Sequence, residues 1–171
     1  MKKYFFFIFF LFFFTKSFAE EKIVYLDVNY LLTESEAGRY INTELKKIND
    51  KNIEEFKKIE NSIKKEEENL LKQKNILKEE EFNNKVNDLR EKYKSYQELK
   101  NTKNNDLQTL RNNAGNQILK IINEILAEYS AKNSISIIME KKNIVIGKTE
   151  LDITKIVLEM LNTKIKKVEL K

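Results

Sequence analysis

The sequence predicts an α+β protein in which a long antiparallel helical hairpin, a coiled-coil arm, projects from a small β-sheet body. Three observations carry this. From about Gly38 to Lys132 apolar residues recur three, four or seven apart, with no proline and only Gly115 as an interior glycine. Strand-like segments lie on both sides of that section and none lies within it. Midway, in "NILKEEEFNNKV" (Asn75 to Val86), the step from Leu77 to Phe82 is five residues and the apolar phase is lost.

The chain opens with a segment to be set aside. "MKK", the apolar run "YFFFIFFLFFF" and a small-x-small ending at Ser17 and Ala19 predict an export signal over 1–19, cut between Ala19 and Glu20. A membrane anchor is the alternative, but spanning a bilayer takes about 20 apolar residues and this run is roughly half that. No stable membrane insertion is expected once it is removed. Losing Lys2, Lys3 and Lys16 takes the formal charge from +5 to +2, and only Phe56 and Phe82 remain of the eleven Phe.

Ile23–Val28 is short, β-branched and aromatic and predicts a strand. Thr33 and Glu36 have the T-x-x-E spacing of a capping box, which places a helix start there. The first arm then carries Leu45, Phe56, Ile59, Ile63, Leu70 and Leu77. The second carries Phe82, Val86, Leu89, Tyr93 and Tyr96, then Leu107, Leu110, Ala114 and Ile121. Such spacing keeps one narrow apolar stripe on a helix and specifies a coiled-coil seam. Lys100 and Lys103 interrupt the second seam about halfway. Glu54/Lys58, Glu60/Lys64, Glu68/Lys72, Glu81/Lys85 and Asp88/Lys92 place acid before base at i,i+4, each adding about 0.2–0.5 kcal/mol to the helix.

Beyond Lys132, "ISIIME" and "NIVIG" predict two short strands in a hairpin ending at Gly147. "LDITKIVLEML" then predicts an amphipathic helix with Ile153, Ile156, Val157 and Met160 on one face. Asp152 is its expected cap, and Leu151 with Ile156 a hydrophobic staple. The strand at 23–28 needs partners, and those at 135–146 are the natural ones. A straight helix of about 95 residues would hold them some 140 Å apart. A hairpin with its tip near 78–81 brings them together. The expected organisation is therefore a signal at 1–19, a β-rich body with a C-terminal helix from 20–38 and 133–171, and a hairpin over 39–132.

Composition excludes several functions. Cysteine and histidine are absent, so there is no disulfide, no Cys/His zinc site and no His or Cys for nucleophilic or general-base chemistry. No cofactor or metal is expected, and no set of carboxylates stands out as catalytic. Lys and Glu are interleaved rather than gathered into a basic stripe, which argues against nucleic-acid binding. Between residues 64 and 81 five Lys face six Glu, so the tip carries no basic excess.

The order of strand, "LDVNYLLTESEAGR", charged helical hairpin and "ISIIME…NIVIG…DITKIVLEML" resembles the Skp/OmpH family of periplasmic chaperones, over essentially the whole mature chain. Its most specific parts are "SEAG" at Ser35–Gly38 and "DITKIVLEML" at Asp152–Leu161. The resemblance implies a homotrimer whose strands share one body and whose arms surround a cavity. It implies an ATP-independent periplasmic holdase for unfolded outer-membrane proteins. On that reading Ile23, Val24, Leu26, Ile137, Ile138 and Val145 are candidate residues of the oligomeric body. Leu70, Leu77, Phe82 and Val86, near the tip, are candidate client contacts. A structural coiled-coil adaptor or spacer of the cell envelope is the alternative, distinguished by binding one folded partner rather than many unfolded ones.

Overall fold

The computed structural model describes residues 21–171, so the expected signal and its cleavage between Ala19 and Glu20 lie outside the described residues. The order of elements is β1 (Lys22–Leu26), α1 (Val28–Glu34), α2 (Glu36–Gln73), α3 (Glu79–Asn133), β2 (Ile135–Glu140) and α4 (Thr154–Lys164), with single 3₁₀ turns at Lys141–Asn143 and Thr149–Leu151.

β1 stops two residues short of the expected Val28 because Asp27 starts a helix. The Asp27 carboxylate accepts a hydrogen bond from the Tyr30 amide at 2.9 Å and caps α1. This early start removes the capping box expected at Thr33 and Glu36. Thr33 lies inside α1, and its hydroxyl donates to the Asn29 carbonyl at 3.0 Å. The cap of the first arm is instead Ser35, whose hydroxyl accepts from the Gly38 amide at 3.0 Å. The neighbouring Glu36 amide donates to Asn162 Oδ1 at 2.8 Å, so α4 satisfies a second free donor at the root of the arm.

The arms are α2, of 38 residues, and α3, of 55. They turn over 74–78, slightly before the expected tip at 78–81. Glu79, Glu80 and Glu81 form the first turn of α3, where their charge favours the positive end of the helix dipole. Among the described residues only Ser134, which ends α3, has a positive φ, at 52°. The turn at the tip therefore uses only backbone conformations open to any residue, which is why no glycine or proline marks it. Of the five expected i,i+4 pairs, Glu81–Lys85 comes within ion-pair distance, at 3.8 Å. Lys92 crosses instead to Glu66 on the other arm, at 2.5 Å.

The arms are unequal because α3 runs on into the body, about 25 Å further than α2. There its buried residues are Ala114, Ile118, Ile122 and Ile125, a wider stripe than the expected step from Ala114 to Ile121. In the arm a helix faces one partner. In the body α3 meets α1, α4 and β2, so more of its circumference is covered. Val24, Leu26, Leu31, Ile41, Leu45, Val157 and Leu161 complete this core.

β1 and β2 are parallel, with Ile23 opposite Ile137, Val24 opposite Ile138, Tyr25 opposite Met139 and Leu26 opposite Glu140. The helical hairpin is the crossover that a parallel pair requires. The expected second strand of a C-terminal hairpin does not form. Residues 141–143 make a 3₁₀ turn, and Val145 and Ile146 are exposed with no strand beside them among the described residues. The far edge of β1 is partly covered by the chain entering α4, whose Ile153 amide donates to the Tyr25 carbonyl at 2.9 Å. Ile153, just before α4, and Val157 and Leu161 within it face inward, whereas Ile156, expected on that face and in a staple with Leu151, is exposed. The cap position of α4 is Ile153 and not the expected Asp152, which stands one residue earlier and accepts from the Thr154 amide at 3.0 Å.

Candidate functional site

No group of His, Cys, Asp and Glu capable of holding a metal occurs among the described residues. Nor is any described helix long and apolar enough to cross a membrane. The surfaces that leave apolar side chains exposed are the paired arms and one face of the small sheet.

Along the arms the seam is thin. Phe56 meets Tyr96 edge-on with ring centroids 6.2 Å apart, and Tyr96 meets Tyr93 at 6.4 Å. Lys100, an interruption by sequence pattern, places its ammonium 5.3 Å from the Tyr96 ring centre and 6.0 Å from that of Phe56. Its stem can then cover apolar surface while the charge meets two ring faces. Lys103 reaches Glu55 at 3.5 Å. One seam position, Asn52, seven residues after Leu45, is polar and buried. A polar residue in a coiled-coil seam lowers stability and pins the register. The seven-residue spacing could have revealed Asn52, but a search for apolar residues passes over it.

A groove of about 710 Å³ opens along the flank of the arms. Ile59, Ile63, Tyr96 and Leu99 give it an apolar floor, and Glu66, Asp88, Glu91 and Lys92 line it with both signs of charge. It offers no fixed constellation of donors and acceptors, only mixed apolar and charged surface along two helices.

Of the candidate contacts near the tip, Leu70 is buried in the seam and Leu77, Phe82 and Val86 are half-buried around the turn. The apolar side chains that face solvent there are their neighbours, Leu71 (63% exposed) and Ile76 (79%). Periodicity selects the residues that hold the arms together. The exposed ones are out of phase with it and so escape the same search.

The candidate body residues divide by face. Val24 and Leu26 are buried in the core and Ile138 is half-buried against it. Ile23 (42% exposed) and Ile137 (48%) are cross-strand partners on the opposite face, and Met139 follows them. Val145 and Ile146 stand free just beyond β2. On this face the loop through Gly147 and Lys148 covers Tyr25, whose hydroxyl donates to the Lys148 carbonyl at 3.1 Å, and Ile23, Ile137 and Met139 are left exposed beside it.

A polar latch closes the other side of the body. The Asp27 amide donates to Thr154 Oγ1 at 2.9 Å, and Lys141 Nζ donates to Asp152 Oδ2 at 2.8 Å. Burial opposes ionisation of Asp152, but hydrogen bonds from Lys141 and Thr154 outweigh it and hold the carboxyl below its usual range. The bond to Asp152 raises the Lys141 ammonium above its ordinary value.

The family described as "Outer membrane protein (OmpH-like)" matches residues 22–161. Among curated proteins, none matches the chain. A solved structure of a candidate outer membrane chaperone (OmpH-like) from Caulobacter crescentus CB15 superposes with a TM-score of 0.79. That likeness covers 88% of this chain and 89% of that one at 15% identity, and so concerns the fold. The family match takes in β1, both arms, β2 and most of α4, and the chain belongs to the OmpH-like outer membrane protein family.

Proposed function

We propose that the mature chain is an ATP-independent periplasmic holdase, a homotrimer that keeps unfolded outer-membrane proteins from aggregating in the space between its arms. Membership of the OmpH-like family supports a chaperone role, and OmpH-like chaperones are periplasmic and non-enzymatic. The observation that carries the finer reading is the disposition of the molecule. Two long, thinly seamed arms leave a small body whose sheet exposes Ile23, Ile137 and Met139 on one face. A two-stranded sheet with an open edge needs covering. Three copies joined through that face would cover it and set three arms around a common space. The arms offer mixed apolar and charged surface at Ile76, Leu71 and the flanking groove, with Leu70, Leu77, Phe82 and Val86 beneath. Many weak contacts of that kind hold an extended chain by their number.

The test is to shorten the arms. Excising 64–95 and closing the stump with a short glycine turn should leave the body assembled and abolish protection of an unfolded β-barrel protein from aggregation. A shortened assembly that protects as well as the full chain would remove the arms from the mechanism and favour the adaptor reading.

A further inference from the structure

Residues 165–171, "IKKVELK", leave α4 with Ile165 extended and a bend at 166, and run outward along the roots of the two arms without regular structure of their own. Two main-chain oxygens, those of Glu169 and Lys171, accept from Gln117 Nε2 at 3.1 Å and Asn113 Nδ2 at 2.8 Å. Asn113 and Gln117 stand one turn apart on α3, about 6 Å. Alternate carbonyls of an extended chain repeat at about 6.6 Å. The two amides therefore match the backbone period of any extended polypeptide, whatever its side chains. On the α2 side, Glu36 pairs with Lys166 at 3.4 Å and the Tyr40 ring lies 5.5 Å below the Lys167 ammonium. Glu44 comes one turn after Tyr40. Val168 is buried in the core cluster and Leu170 packs against it, so alternate side chains point inward. An open cleft of about 700 Å³ lies beside the segment, lined by residues 167–171 themselves with Tyr40 and Glu44, so the segment is not closely packed along its α2 side.

We propose that the track under residues 166–171, with Asn113 and Gln117 on its α3 side and Glu36 and Tyr40 on its α2 side, is a binding site for an extended polypeptide with alternating apolar side chains, and that residues 166–171 occupy it in cis until a client segment displaces them. The identity of that client rests on the holdase reading. Strands of a β-barrel protein have the required alternation, apolar on one side and polar on the other. Recognition through backbone carbonyls suits a protein that takes many sequences, and the acidic α2 side favours lysine or arginine at the outward positions.

The experiment uses a chain ending at Ile165 and a fluorescent peptide of sequence IKKVELK. The shortened chain should bind the peptide at least tenfold more tightly than the full chain does. Adding Asn113→Ala with Gln117→Ala should weaken that binding at least fivefold. A peptide carrying Asp at the positions of Val168 and Leu170 should not bind, and an unfolded β-barrel protein should displace the bound peptide. Equal binding by both chains, indifference to the two amides, or failure of the client to compete would each overturn the proposal. So would a rise in molecular mass on shortening, which would make the track an interface between copies. A full-length variant with Val168→Ser and Leu170→Ser provides a second released form. If circular dichroism shows both forms unfolded, the segment is a core strand and not a displaceable occupant. Peptide binding is read without a client, so failure of client protection by the arms remains distinguishable from failure here.

Discussion

At Gly38 a Cβ atom would lie 2.1 Å from the Leu32 carbonyl oxygen, which belongs to the backbone of α1 and cannot swing aside. "SEAG" is therefore a physical joint. Ser35 caps the arm, Ala37 is fully buried, and Gly38 lets α1 press against it. Gly38→Ala should destabilise the fold by about 1–3 kcal/mol through overpacking. Urea denaturation checks this, and an unchanged midpoint would mean that α1 sits elsewhere. Asp152 makes a second prediction at this scale. Its carboxyl is held below the ordinary 3.8, so its ionised form stabilises the folded state. That contribution is complete above the unfolded value and is lost as the pH falls through the lower folded value. Asp152→Asn should therefore lower stability at neutral pH, and its deficit relative to the parent should shrink below about pH 4. A deficit that stays constant down to pH 2 would contradict the latch.

Between elements the instructive position is Asn52. Replacing it with Leu should stiffen the hairpin by about 1–2 kcal/mol. Hydrogen exchange in the arms should slow and large clients should be admitted less well. Unchanged exchange in 45–60 and 95–110 would show that the polar seam position does not control arm opening. The arms were the most legible part of the sequence, because a stripe from Phe56 to Leu70 and from Leu89 to Tyr96 repeats at the helical period. The short elements were less so. β-branched residues continue through Val28 and through Ile144–Ile146, yet Asp27 caps a helix at the first place and, among the described residues, no partner strand lies at the second. Strand propensity describes a side chain that fits a sheet and does not supply the neighbour. The flank surfaces were hidden for a related reason. Leu71, Ile76 and the groove beside Tyr96 owe their exposure to how the two helices face each other, which one helix's periodicity does not contain.

For the whole molecule, the proposed joining of copies through the exposed part of the sheet can be separated from folding. Ile137 faces outward and Ile138 toward the core. Ile137→Asp should leave a folded single chain that no longer assembles. Ile138→Asp should unfold the body, since an unpaired charge there costs several kcal/mol, of order ~3 or more. Circular dichroism with sedimentation separates the outcomes, and a variant at Ile137 that still assembles would move the interface off this face. The central claim, that three copies enclose one unfolded client between their arms, is tested most directly by light scattering on the mature chain. It should be measured alone and after mixing, without nucleotide, with a β-barrel protein diluted from urea. The account predicts the mass of three chains alone and of three chains plus one client after mixing, with the client soluble. The mass of a single chain in both samples, with the client precipitated, would contradict it.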